Sequence, residues 1–400
     1  MTCHCSGSGE PTRSAQEIPG HLPTPDPEAL RRSETLLDQL RAEIGRDGWM
    51  SFERYMDRAL YTPGLGYYAA GNPKFGPAGD FVTAPERSPL FARALAHQLM
   101  QVMAASAANI LEVGPGSGAL AADLLVALTE LGCAPEHYAL LEVSSSLRDR
   151  QAQRIAARAP ESMTRVSWLD RLPERWTGLV IANEVVDAMP VARLHWREDG
   201  LYEQGVACDA SGRLLASDRL ADARLVAAAR GIDVPVPYLS EVGRIGRAWV
   251  GEWGHRLERG ALFIVDYGFP HHEYYHPQRA GGTLMCHYRH VAHADPFLYP
   301  GLCDITAHVD FSALAAAGHA AGLDVMGYTS QAQFLLQCGL LEYVDQALQR
   351  DPVGAAKAGA EANMLISPAE MGELFKVIAF GRGVDTPLIG FMRGDRTHTL

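Results

Sequence analysis

I-L-E-V-G-P-G-S-G-A-L, from Ile110 to Leu120, is the stretch on which the fold turns. An apolar run enters three glycines, Gly114, Gly116 and Gly118, and a helical pattern starts at once. Small residues let a backbone approach a ligand closely, and a helix N-terminus offers free N–H groups. Working outward, Asn109–Val113 reads as a strand and Gly118–Leu131 as an amphipathic helix. Tyr138–Val143, Val166–Leu169 and Leu179–Ala182 read as further strands, with a helix over Ser146–Ala159. This alternation is that of an α/β protein with an open parallel sheet. Residues 191–238 break it and read as an insertion, with strand candidates Arg193–Trp196 and Gln204–Ala207. A helix over 240–258 and a strand Leu262–Tyr267 resume it. Residues 268–308 read as irregular. The segments 311–321, 331–350, 354–362 and 368–376 read as helical, with a strand at 324–329. Upstream, helices are expected over Pro27–Ile44, from the Ser51 cap through Leu60, and over Ser88–Ala105. Between the last two lies a turn-rich stretch, Tyr61–Pro89.

Composition narrows the function. Lys and Arg number 35 against 47 Asp and Glu, a balance of 35 − 47 = −12, which argues against general nucleic-acid binding. With 47% hydrophobic and 20% charged residues the chain is globular, and no apolar run reaches a membrane span. Seven cysteines, odd in number and scattered, fit a reducing compartment, and a cytoplasmic location is expected. Cys3, His4 and Cys5 lack nearby partner ligands for a zinc site. Residues 1–26 have no apolar core segment and contain Glu10, Glu17 and Asp26. They are expected to be a disordered tail rather than a transit peptide.

The glycine loop alone is ambiguous, because Gly114-x-Gly116-x-x-Ala119 also satisfies the relaxed dinucleotide fingerprint. Glu112 shifts the balance. An anion just before the glycines opposes a pyrophosphate and suits the ammonium and sulfonium of S-adenosyl-L-methionine (SAM). Glu142, ending the next strand, accepts both ribose hydroxyls of either ligand. The third signal is L-V-I-A-N-E-V-V-D-A-M-P, which delivers Asn183, Glu184 and Asp187 to the ligand edge of the sheet. Carboxylates there suit a guanidinium, which they grip in bidentate fashion, and methyl transfer to a protonated nitrogen needs a proton acceptor. Asp187 reads equally as the cap of the next turn. The sequence lacks an N-P-P-aromatic tetrad.

Weaker candidates surround this set. Gly79, Asp80, Phe81 and Thr83 lie in a loop suited to folding over a cofactor, with Asp80 either binding a cation or anchoring a turn. Trp168 and Asp170 follow the third strand and are candidates for the adenine end, against a packed Trp and a surface Asp. Asp266 ends the fifth strand and is a second-choice carboxylate for the acceptor. His271, His272 and His276 lack a recognised metal spacing and read as a polar loop. His308 and Asp310 read as orienting groups. No cysteine sits in a nucleophile setting, so direct transfer is expected.

At these residues the chain resembles a known family, the MidA-like (DUF185) class I SAM-dependent methyltransferases. Their mitochondrial relative is an arginine methyltransferase that assists assembly of respiratory complex I. The resemblance runs from about Ser51 to Phe380. It is carried by S-F-E-R-Y-M-D-R-A-L-Y-T-P-G-L-G-Y-Y, F-G-P-A-G-D-F-V-T-A-P-E-R-S-P-L-F, L-E-V-G-P-G-S-G-A-L, A-N-E-V-V-D-A-M-P-V, F-I-V-D-Y-G, G-G-T-L, P-G-L-C-D-I-T-A-H-V-D-F, Q-F-L-L-Q-C-G and M-G-E-L-F-K-V-I-A. It departs from the family at Val185 and Val186, where aromatics are usual, and after G-T-L, at Met285–His290. The resemblance implies a Rossmann-like, seven-stranded, mostly parallel sheet over 109–400, with insertions near 191–238 and 268–310. Residues 27–108 would form a helical and loop extension serving as a cofactor and substrate lid. It implies SAM as cofactor, held by Glu112, Gly114, Gly116, Gly118 and Glu142, to which we add Asn183, Thr83 and Asp170. Glu184, then Asp80 and Asp266, are the expected catalytic carboxylates. The implied reaction is protein arginine methylation, the implied partner a protein such as a complex I subunit, and a homodimer is a further expectation. Two alternatives stand beside it: a non-catalytic assembly protein that keeps the SAM fold, and an NAD-linked oxidoreductase.

Overall fold

The computed structural model describes residues 22–70, 83–350 and 352–400. Most of the expected tail and the Gly79–Phe81 part of the loop, with Asp80, lie outside the described residues. Seven strands make the path of the central sheet: β1 Asn109–Val113, β2 His137–Leu141, β3 Val166–Leu169, β4 Trp176–Asn183, β5 Leu257–Phe269, β6 Asp324–Ser330 and β7 Phe375–Arg382. Their order is β6-β7-β5-β4-β1-β2-β3. The pairs β1–β2, β1–β4, β2–β3 and β4–β5 are parallel, and β7 is antiparallel to β5 and β6. The short strand Val309–Asp310 extends the end of β5. This is the seven-stranded, mostly parallel arrangement expected.

The strands read as continuous apolar runs because both faces of the sheet are covered. Along β5, Ala261, Phe263 and Val265 enter one core while Leu262 and Ile264 enter the other. The first core is closed by helices Pro89–Ala105 and Ala119–Glu130, and the second by Arg244–Arg256 and Phe311–Ala320. After β3 the chain returns to the far side of β1 to form β4, so β1 and β4 lie at the switch of strand direction where open α/β sheets hold ligands.

The chain before residue 70 and the two insertions share a third core. Leu36, Leu40 and Ile44, at helical spacing on Pro27–Asp47, pack with Tyr55, Val206, Cys286 and Ile305. Met50 and Ser51 pair with Val206 and Gly205 of the insertion sheet. Asp26 caps the first helix by accepting from Ala29 N at 2.8 Å. The helix runs three residues past the expected Ile44, and the left-handed turn comes only at Gly48. Wholly buried Glu241 accepts from Thr283 N at 2.7 Å and pairs with Arg193 at 3.3 Å, which ties the G-G-T-L stretch to the insertion sheet.

Three expectations are corrected. Residues 375–382 form strand β7, where a helix was expected over 368–376: apart from Lys376, F-K-V-I-A-F is apolar without a period, because β5 and β6 pair with its edges and the two cores cover its faces. The expected helix over 240–258 is a strand, Tyr238–Val242, then a helix from Arg244, because the first five residues pair with Ala192–Trp196. The stretch 268–308, expected to be irregular, holds a three-stranded sheet of Met285–Tyr288, Val291–His293 and Asp304–Thr306. The insertion also contains an unforeseen strand, Leu214–Leu220.

Candidate functional site

A cavity of about 350 Å³ opens over the ends of β1, β2 and β4. Its floor is the glycine loop. Gly114 and Gly118 have φ of 63° and 82°, a conformation that strains any L side chain. A Cβ on Gly114 would lie 3.0 Å from Val185 Cγ2, and one on Gly118 would lie 3.1 Å from Gln151 Cα. The loop therefore presents bare backbone to the cavity, and the first N–H groups of Ala119–Glu130 have no side-chain cap.

Glu112 and Glu142 line this end. Glu112 is 2% exposed and accepts from the Tyr138 hydroxyl at 2.7 Å. Burial pushes its carboxyl up to about 8, against the opposing pull of the Tyr138 bond. No cation among the described residues offsets that burial. Glu142 Oε1 accepts from Ser144 N at 2.8 Å, which fixes the carboxylate at the rim. Gln151, buried on the helix Ser145–Arg158, joins the two walls: its amide donates to Gly116 O at 2.9 Å and to Glu142 Oε2 at 3.3 Å. Trp168 Nε1 donates to Gln151 Oε1 at 2.9 Å, so Trp168 braces the site from behind. Asp170 is exposed and does not line the cavity.

The other end is acidic. Asn183 ends β4 and Glu184 follows it with a φ of 54°, uncommon for a residue other than glycine. The turn is imposed from outside. Glu184 N donates to Val265 O at 2.8 Å, and Val186 N and Asp187 N donate to Asp266 Oδ2 at 2.9 and 3.2 Å. Asp266 is thus wholly buried, holds the turn that displays Glu184, and does not line the cavity. Burial and the neighbouring Asp187 push Glu184 up to about 8, while Asn183, whose amide donates to Glu184 Oε1 at 3.1 Å, and the Ala84 backbone pull it down. Burial raises Asp187 to about 6 against hydrogen bonds that include Tyr267. Asn183 Oδ1 and Asp187 Oδ1 are buried with no hydrogen-bond partner among the described residues. The charged groups that act on Glu184 and Asp266 are other carboxylates, among them Asp187 and Asp304.

Tyr61 and Tyr68 wall this end, stacked at 5.6 Å. Their hydroxyls donate to Ala188 O and Asp304 Oδ1, both at 2.9 Å. Thr83 and Glu86 complete the wall. His308, expected to orient a loop or the acceptor, packs between Tyr267 and Phe269, and Asp310 caps the helix Phe311–Ala320. The structure therefore gathers Glu112, Gly114, Gly116, Glu142, Asn183, Glu184 and Thr83 around one cavity, and leaves Gly118, Asp170 and Asp266 off its lining. Gln151, Glu86, Tyr61, Tyr68 and Asp304 had no assigned role in the sequence. Four of the five lie in the stretches quoted above, and Gln151 carries no signal beyond its helical face.

The cavity thus pairs a bare glycine loop with a buried carboxylate awaiting a cation, and both features fit SAM. A family model for S-adenosyl-L-methionine-dependent methyltransferases matches residues 90–329. The chain belongs to this family. The methyltransferase is 31% identical to the mitochondrial protein arginine methyltransferase NDUFAF7 homolog of Drosophila melanogaster, over 92% of each chain. It is 30% identical to mitochondrial protein arginine methyltransferase NDUFAF7 of Danio rerio, over 86% of each. It also superimposes on a Burkholderia thailandensis protein crystallised with S-adenosyl-homocysteine, with a TM-score of 0.91 and 51% identity, covering 95% of this chain and 100% of that one. These findings support the SAM reading and set aside the NAD-linked alternative. The expectation of a cytoplasmic protein is overturned by the relatives' names, which place both of those proteins in the mitochondrion. No helix among the described residues is long and apolar enough to cross a membrane.

Proposed function

We propose that this methyltransferase acts on the guanidinium of a protein arginine. The observation that carries the reading is the acidic end of the cavity. Glu184 lines it, and the charged groups of the described residues that raise Glu184 are the carboxylates Asp187 and Asp304. Orphaned oxygens on Asn183 and Asp187 are what a multi-donor cation would satisfy. A planar guanidinium presents five donors in a fixed fork, and the stacked Tyr61–Tyr68 pair offers it an aromatic wall. The names of the relatives state the same acceptor. The family resemblance makes a respiratory complex I subunit the first protein to test.

In this reading Glu112 holds the cofactor ammonium, Glu142 the ribose hydroxyls, and the glycine loop, Thr83 and Asn183 the remainder. SAM supplies an electrophilic methyl group on a sulfonium. The guanidinium nitrogen forms its bond to that carbon as the carbon–sulfur bond breaks, and the nitrogen gives up a proton. Glu184 orients the nitrogen and receives that proton. Its raised pKa makes it a better base than a solvent-exposed carboxylate. Asp187 and Asp304 keep the acceptor cationic and aligned until transfer. Asp266 acts through the turn it holds.

The test is Glu184→Gln, assayed with radiolabelled SAM on a cell extract and followed by amino-acid analysis. Turnover should fall by about 10²- to 10⁴-fold with cofactor affinity retained. Label recovered in methylarginine supports the reading. Equal loss of turnover and cofactor affinity, or label on another residue, overturns it.

A further inference from the structure

Three groups of different chemistry bond the side-chain amide of Gln151. Its Oε1 accepts from the Trp168 indole N–H at 2.9 Å. Its Nε2 donates to Gly116 O at 2.9 Å and to Glu142 Oε2 at 3.3 Å. An indole N–H can only donate, while a carbonyl and an ionised carboxylate can only accept. One direction of the amide therefore satisfies all three bonds. Turned over, the amide would set its oxygen against two acceptors and its N–H groups against a donor. Gln151 is 0% exposed, so solvent cannot make good that mismatch. The backbones around it are already tied. Arg148, on the same helix, donates to Glu142 O at 2.7 Å and to Leu169 O at 3.1 Å, which joins the ends of β2 and β3. What is left to set is the direction of the amide, and Trp168, on the edge strand β3, supplies the donor that sets it.

We infer that Trp168 is a positioning residue for the cofactor: its N–H fixes the direction of the Gln151 amide, and the amide in that direction ties Gly116 of the glycine loop to Glu142. The indole does not line the cavity and acts through Gln151. Its nitrogen carries the role. A ring that merely filled the space behind the site would serve equally well without that N–H. The inference rests on the reading of Glu142 as the ribose ligand for the size of its effect on affinity, and on the three hydrogen bonds for the direction of the amide.

The test is a double-mutant cycle on the full chain, read as S-adenosylhomocysteine affinity by titration calorimetry. Trp168→Phe removes the donor and part of the ring. Trp168→benzothienylalanine, introduced by nonsense suppression, puts sulfur in place of the N–H and keeps the bicyclic shape. Each should weaken the ligand about tenfold, the effect of one buried hydrogen bond whose loss frees the amide to turn. Gln151→Met removes the amide and keeps the length of the side chain. In that background the analogue at position 168 should weaken the ligand by less than about twofold more, because the two residues act as one unit. Full affinity with the analogue alone, or losses that multiply in the double variant, would show that Trp168 only packs, and would overturn the inference. The amide is also followed directly by ¹⁵N NMR, its signals assigned by their absence in Gln151→Met. Exchange of its N–H groups with solvent should quicken about tenfold with the analogue, and an unchanged rate overturns the inference. The analogue keeps the packing and suffices alone if Trp168→Phe does not fold. Glu142→Gln separates this inference from the ribose assignment. If that variant binds S-adenosylhomocysteine as wild type does, the ribose assignment fails, while losses that do not multiply still support positioning through Gly116.

Discussion

Cofactor binding should be linked to a proton at Glu112, and the size of the linkage follows from its burial. With its carboxyl near 8 in the free protein, about nine-tenths of Glu112 is protonated at pH 7. A ligand ammonium beside it favours the anion, so binding expels that proton. The sign is fixed: a raised pKa that falls on binding makes affinity rise with pH. If only the anionic form binds, affinity for S-adenosylhomocysteine should rise about eightfold between pH 7 and pH 8.5, with about 0.9 proton released at pH 7. Titration calorimetry at each pH, in two buffers of different ionisation enthalpy, measures both quantities. Glu112→Gln should lose this linkage. The ligand's own amine titrates equally against both proteins and cancels in their ratio. Tyr138→Phe removes the bond that lowers the Glu112 pKa and should shift the linkage to higher pH. The same pH dependence in wild type and Glu112→Gln would refute the pairing. The ligand-free protein carries the mirror image. The stability contributed by neutral Glu112 is full below the unfolded carboxyl pKa of about 4.3 and is lost as pH rises through its folded value.

Other outcomes follow from the same geometry. Gln151→Ala removes the tie between Gly116 and Glu142 and should weaken S-adenosylhomocysteine about tenfold, measured by calorimetry; unchanged affinity would show that the loop holds its shape alone. Glu184→Gly relieves a left-handed strain of about 1–2 kcal/mol at the expense of about 0.5–1 kcal/mol of chain entropy, so urea unfolding should show stability unchanged or raised while turnover is lost. A large destabilisation would mean that the conformation is not strained. Lys376, buried on β7 with its pKa lowered by burial, should tolerate Lys376→Met within about 1 kcal/mol by thermal unfolding. A loss above about 3 kcal/mol would show that its charge is fully compensated in place.

The cofactor half of the site was legible in the sequence because its chemistry is local. Gly114–Gly118, Glu112 and Glu142 sit at the ends of adjacent strands, and the β-α-β period places them together. The acceptor half was legible only in part. Glu184 sits on the same edge and was found. Tyr61 and Tyr68 reach the cavity, and Asp304 reaches Tyr68, from segments far apart in the chain, and no period connects them. Asp266 looked like a ligand because it ends a strand at the right edge. Three backbone donors, from Val186, Asp187 and Tyr267, consume its oxygens instead. Strand β7 was hidden for a different reason. A strand covered on both faces has no alternation, so F-K-V-I-A-F carried no signal to separate it from a helix.

The position of β7 also dictates when this protein can fold. The strand is the last in sequence, yet it lies inside the sheet between β5 and β6. A growing chain on the ribosome therefore exposes the β5 edge, with Phe263, Ile264 and Val265, until Phe375–Arg382 has emerged. Unpaired apolar edges recruit other chains. The central sheet therefore closes only once β7 is available, and until then the β5 edge is open to non-native pairing.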